Sequence, residues 1–121
     1  MNIKSLLNHI ARITNAKTYL EIGLKSGSAF FDVSIDSKIG IGQEIENNIF
    51  NAADIRSQTI KISSGEFFTN LSQLKATVGS IPETWDVIFI DDLRTFESTY
   101  DTFANSVAYS TDQTIWIINS T

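Results

Sequence analysis

Short apolar runs that read as strands alternate with helical patterns along the chain, and this alternation restricts the fold more than any other feature. Thr18 to Ile22 is a β-prone run that stops at Gly23. Lys38 to Gln43 alternates Ile39 and Ile41 with glycines, as in a buried strand that something approaches closely. Thr59 to Ile62 gives a third strand. Trp85 to Ile90 is apolar apart from Asp86, the pattern of a strand covered on both faces, and Ile115 to Ile118 gives a fifth.

Helical spacing fills the intervals. Ile3, Leu6, Leu7, Ile10 and Ile13 predict an amphipathic helix over residues 2–14, ended by Asn15. Ala29, Phe30, Phe31 and Val33 begin a helix after the first glycine loop, and a second spans 46–57. Ser64 caps a helix carrying Phe67, Phe68, Leu71, Leu74 and Val78, closed by Gly79 and Pro82. Phe96, Tyr100, Phe103 and Val107 place an aromatic stripe, read as core, on a helix over 94–109, and Ser110 to Gln113 form a turn. The expectation is an α/β, Rossmann-like open sheet of about five parallel strands in the order 3-2-1-4-5, with helices on both faces. It is read as one domain over 1–121, with an N-terminal helix over 1–15 and the sheet over 18–121.

Composition removes several functions. A net charge of −5 with scattered basic residues argues against a nucleic-acid binder, because phosphate affinity needs clustered Lys and Arg. With no cysteine, disulfides, thiolate zinc sites and cysteine nucleophiles are excluded, and a cytoplasmic address is favoured. No leader pattern and no membrane span are expected. His9, the only histidine, lies on the polar face of the first helix, where solvation is the simplest reading.

Open α/β sheets bind ligands beyond the carboxyl ends of their strands. The first strand ends in Glu21-Ile22-Gly23-Leu24-Lys25-Ser26-Gly27-Ser28, and the second delivers Glu44 some two dozen residues after Glu21. A glycine turn allows close approach to backbone, and a strand-end acid at that distance accepts from ribose hydroxyls. The spacing is G-x-x-x-G rather than G-x-G-x-x-G, which disfavours a pyrophosphate site and a nicotinamide-dependent dehydrogenase. The fourth strand ends in Asp91, where a ligand role competes with helix capping. Asp92 reads as a cap, and Arg94 and Glu97 as a surface pair.

These residues resemble the class I S-adenosylmethionine-dependent methyltransferases, in particular small bacterial methyltransferase-domain members, over residues 6–121. The resemblance rests on the acid-Ile-Gly-x-x-x-Gly loop at Glu21 to Gly27, the acid Glu44, and the segment from Phe89 to Glu97. That segment departs from the family's I-D-G-x-H-x-Y-E, with Asp92 for glycine and Arg94 for histidine. The resemblance implies S-adenosylmethionine as cofactor, bound through Glu21, Gly23, Gly27, Ser28, Glu44, Ser64, Glu66 and Asp91. Asp91 would lie nearest the reacting centre as the catalytic residue, acting on a small-molecule substrate. A catechol-type branch holds Mg²⁺ between a fourth-strand Asp and a fifth-strand Asp-Asn pair. Asp91 with Asn119 and Ser120 is a poor hard-cation set, and no metal is expected. Family members usually continue past the fifth strand with a helix and two more strands. Ile115 to Asn119 is therefore expected to be an uncovered edge that pairs with a second copy, and the rival reading is a non-catalytic or truncated binding and assembly module.

Overall fold

Strand pairing joins residues far apart in the chain. In the computed structural model the order is β3-β2-β1-β4-β5, all neighbours parallel, as the alternation predicts. The structure describes residues 2–25, 29–51, 56–78, 81–91 and 95–119. In chain order the elements are α1 (Ile3–Thr14), β1 (Thr18–Ile22), a 3₁₀ turn (Phe30–Asp32), β2 (Ser37–Gly42), α2 (Asn47–Asn51) and β3 (Ser57–Lys61). There follow α3 (Ser64–Thr69), α4 (Leu71–Val78), β4 (Trp85–Ile90), α5 (Phe96–Val107) and β5 (Ser110–Ile118). Among the described residues no helix is long and apolar enough to cross a membrane.

The period-two alternation of the strands divides the core into two layers. Tyr19, Val87 and Phe89 face Leu7 and Ala11 of α1, together with Leu24, Phe30, Val33, Ile35 and Ile45. Leu20, Ile22, Ile39, Ile41, Ile88 and Ile90 face the other way, against Phe67 of α3 and Leu71 of α4. Phe103 of α5 and Trp116 of β5 pack on this second layer with ring centroids 5.1 Å apart. Helices thus cover both faces.

Several local expectations are corrected. The helix expected after the first glycine loop is only a 3₁₀ turn. Ser34 N–H, which would extend a helix, donates instead to Asn8 Oδ1 of α1 at 2.7 Å. The carbonyls of Phe30, Phe31 and Val33 accept from the buried Lys38 ammonium at 2.9, 3.0 and 3.0 Å. The helix expected over 46–57 cannot reach its end, because Ser57 is already paired in β3 opposite Lys38. The helix from Ser64 divides at Asn70, whose backbone N–H and side-chain amide both donate to Glu66 O at 3.0 Å. An Asn that competes for backbone acceptors interrupts a helix in this way.

The cap of α3 is Ser63, not Ser64: Ser63 Oγ accepts from Glu66 N–H at 3.1 Å. The cap of α5 is Thr95, which accepts from Ser98 N–H, so Asp91 is not the cap of that helix. Asp92 and Arg94 lie outside the described residues. The aromatic stripe also needs correction, since Tyr100 is 59% exposed and Val107 46% exposed. Besides Phe103, the inward positions of α5 include Thr102 and Ser106, both buried. Each is satisfied there: Thr102 Oγ1 lies 3.1 Å from Ser64 Oγ, and Ser106 Oγ accepts from Trp116 Nε1 at 2.9 Å. The turn expected at 110–113 lies inside β5 as an irregularity, where Trp85 pairs with Ser110 but Val87 pairs with Ile115.

Candidate functional site

Beyond the carboxyl end of β1 the chain turns sharply at Gly23, whose φ of 95° lies in the region that favours glycine. Gly23 N–H and Leu24 N–H both donate to Ile41 O at 2.9 Å, so the chain leaves β1 by crossing over β2. Gly40 and Gly42 make that crossing possible. A Cβ on Gly42 would overlap the carbonyl oxygen of Leu24, and one on Gly40 would stand 2.5 Å from Leu24 Cδ2. The close approach foreseen from the β2 glycines is therefore made by the chain itself, by the Leu24 backbone at Gly42 and by the Leu24 and Phe30 side chains at Gly40.

The crossing leaves a cleft lined by Ile22, Gly23, Ile41, Gly42, Gln43, Ile62, Ser63 and Ser64. Its floor is three isoleucines from the ends of β1, β2 and β3, and its rim is polar. It encloses about 60 Å³, well under the roughly 300–1,000 Å³ of whole small-molecule pockets, so the space bounded by the described residues is smaller than a whole nucleoside. A wider opening of about 540 Å³ lies away from the strand ends that carry the candidate residues, along Asn8, Arg12, Asn15, Lys17 and Asp36. There Lys17 Nζ donates to Asn15 Oδ1 and Arg12 pairs with His9.

The candidate residues are placed unequally around the cleft. Gly23 and Ser64 line it; Gly27 and Ser28 lie outside the described residues. Glu44 is exposed one residue beyond the lining Gln43, with its carboxylate 3.8 Å from Lys25 Nζ. Glu66 accepts from Ser63 Oγ at 3.1 Å and belongs to the capping of α3. Glu21, only 6% exposed, lies on the α1 face of the sheet, opposite to the Ile22 that floors the cleft. Tyr19 O–H donates to Glu21 Oε1 at 2.8 Å. Burial pushes the Glu21 carboxyl up to about 7, and the charge of Asp91 adds to this, whereas the Tyr19 hydrogen bond and the Lys38 ammonium oppose it. Burial, followed by the charge of Glu21, raises the Tyr19 phenol well above its ordinary value.

On the other side of β1, Asp91 N–H donates to Ile22 O at 2.8 Å, which sets this half-buried acid at the mouth between β1 and β4. Asn119 N–H donates to Ile90 O at 2.9 Å, and the Asn119 side-chain amide donates to Asp91 Oδ1 at 3.0 Å. Gln43 and Ser63 are site residues that the motif reading did not single out, and Asn119 entered it only as a poor metal ligand. Asn119 had a usable signal as the polar residue that directly follows an apolar strand run. Among the described residues no three His, Asp or Glu side chains gather to hold a metal ion. No protein-family model matches the chain, and no curated protein matches its sequence significantly.

Proposed function

We propose that the chain is an S-adenosylmethionine-dependent methyltransferase of the class I type that transfers a methyl group to a small-molecule acceptor. The observation that carries this reading is the layout of the strand ends. The positive-φ Gly23 turn opens an apolar-floored cleft with a polar rim on the β2 and β3 side, and the Asp91 carboxylate stands on the β4 side. A planar ring suits Ile22, Ile41 and Ile62 beneath it and Gln43, Ser63 and Ser64 around it. Glu44 can accept from ribose hydroxyls, since its ion pair with Lys25 is exposed and exchanges easily with solvent or ligand.

Bound there, S-adenosylmethionine supplies an electrophilic methyl group on a cationic sulfur. The work left to the protein is alignment of the acceptor with that methyl group, because in-line displacement depends chiefly on geometry. Asp91 attracts the cation and accepts a proton from any acceptor that must lose one. Isothermal calorimetry with S-adenosylhomocysteine tests the reading. Micromolar binding that weakens in Glu44→Ala supports it, and absence of binding at millimolar ligand to folded protein overturns it.

A second reading is favoured by β5: a non-catalytic binding module that assembles with a second copy. β5 is the end strand of the sheet, Ile118 is 44% exposed, and the run from Ile115 to Asn119 carries none of the charges that usually blunt an edge. Light scattering decides it. A dimer that Ile117→Lys dissociates supports pairing through this edge, and a strictly monomeric species counts against it.

A further inference from the structure

The Asp91 carboxylate carries the greatest demand in this site, and the structure shows how it is held. Its backbone is tied to β1 through Ile22 O, and its Oδ1 accepts from the Asn119 amide at the end of β5. That amide is itself fixed, because Asn119 N–H is bonded to Ile90 O one residue before Asp91. The two residues form a closed bracket: backbone of Asn119 to the last residue of β4, side chain of Asn119 to the residue just past it. An N–H donor on a carboxylate oxygen stabilises the ionised form and selects one side-chain orientation.

The neighbours make that stabilisation matter. Glu21, two strand positions before Gly23, is close enough for its charge and that of Asp91 to repel each other, and Lys38 on β2 is the cation that opposes Glu21. A neutral donor beside Asp91 favours its ionised form without adding a charge to the site. An Asp in place of Asn119 would set a carboxylate against Asp91 Oδ1, and the pair would then retain a proton.

We propose that Asn119 is a positioning residue that holds Asp91 ionised and oriented, and thereby makes the site prefer a cationic ligand over its neutral counterpart. The preference rests on the methyltransferase reading; the effect on Asp91 does not. The test therefore has two arms. In the first, carbon-13 NMR follows the Asp91 carboxyl through pH in the wild type, Asn119→Leu and Asn119→Asp. The midpoint should rise by about one pH unit in Asn119→Leu and by more in Asn119→Asp. An unchanged midpoint in folded Asn119→Leu overturns the proposal. Should Asn119→Leu fail to fold, Asn119→Ala, which removes the same donor without adding bulk or charge, decides the point.

The second arm compares affinities for S-adenosylmethionine and S-adenosylhomocysteine, which differ in the charge on sulfur. At a pH near the wild-type Asp91 midpoint the wild type should favour the cation, and Asn119→Leu should lower that ratio roughly five-fold while affinity for the neutral ligand holds. An unchanged ratio alongside normal binding overturns the selectivity claim alone. If the wild type binds neither ligand, the methyltransferase reading falls with the selectivity claim, and the first arm still decides what Asn119 does to Asp91.

Discussion

The two halves of the sheet's carboxyl edge are built by different means. On the β1–β2 side the site is made of backbone: Gly23 turns the chain, two N–H groups share Ile41 O, and Gly42 leaves room for the Leu24 carbonyl. On the β4–β5 side it is made of side chains, with Asn119 held against Asp91. The first half is sensitive to volume, since Gly42 admits no larger side chain beside Leu24. The second tolerates small changes in shape and responds to charge and pH. A sheet that places both at one edge separates the task of shaping a cleft from the task of tuning an acid.

The contrast is broken most severely at Gly42. Gly42→Val puts atoms where the Leu24 carbonyl lies, and because that obstacle is backbone the loss should be about 3 kcal/mol or more, read by urea denaturation. A loss under about 1 kcal/mol would show that the Leu24 crossing shifts freely.

Glu21 gives the next effect. Its folded-state pKa stands at about 7, above its ordinary value of 4.5. The folded chain therefore binds the proton more tightly than the unfolded chain does, so the associated stability is fully present below about pH 4.5 and is lost as pH rises through about 7. The loss is about 3 kcal/mol. Glu21→Gln, which keeps a neutral polar group beside Tyr19, should flatten the decline measured by thermal unfolding between pH 5 and 8. A slope identical to that of the wild type would mean that another group titrates.

Asn119→Ala, which removes the side-chain donor to Asp91 at the end of β5, should cost about 1–2 kcal/mol. Differential scanning calorimetry at pH 7 measures it, and a cost like that of Gly42→Val would erase the difference between the two halves. The smallest effect is expected at Glu44. Its ion pair with Lys25 is solvent-exposed, so Glu44→Ala should change stability by less than about 0.5 kcal/mol. Set beside a weakened affinity for S-adenosylhomocysteine, that small change would separate a ligand role from a structural one.

Much of the edge was legible in the residues. Gly23 and the β2 glycines announced a turn and a close approach, and both occur, although the approaching group is Leu24 of the same chain. Asp91 was marked by its place after an apolar run. Glu21 was less legible: its neighbour Ile22 floors the cleft, and strand alternation sends Glu21 to the opposite layer beside Tyr19. Ser64 and Glu66 were read as a cap and as a ligand group, but the cap is Ser63 and Glu66 is engaged with it. A one-residue shift of this kind cannot be resolved from adjacent serines, since either hydroxyl suits the role. The aromatic stripe of α5 misled because Ser106 and Thr102 find partners inward, which allows the helix to turn Tyr100 out.

The sequence by itself determined the number of strands, their parallel order and the turn at Gly23, because alternation, apolar period and glycine conformation are properties of short stretches of chain. Only the tertiary structure decided that Lys38 would hold three carbonyls of the 3₁₀ turn, that Glu21 would be buried away from the cleft, and that Asn119 would reach Asp91. The last two depend on the register between strands and on which layer each side chain enters. Register is set by the packing of both faces at once, so it belongs to no single segment.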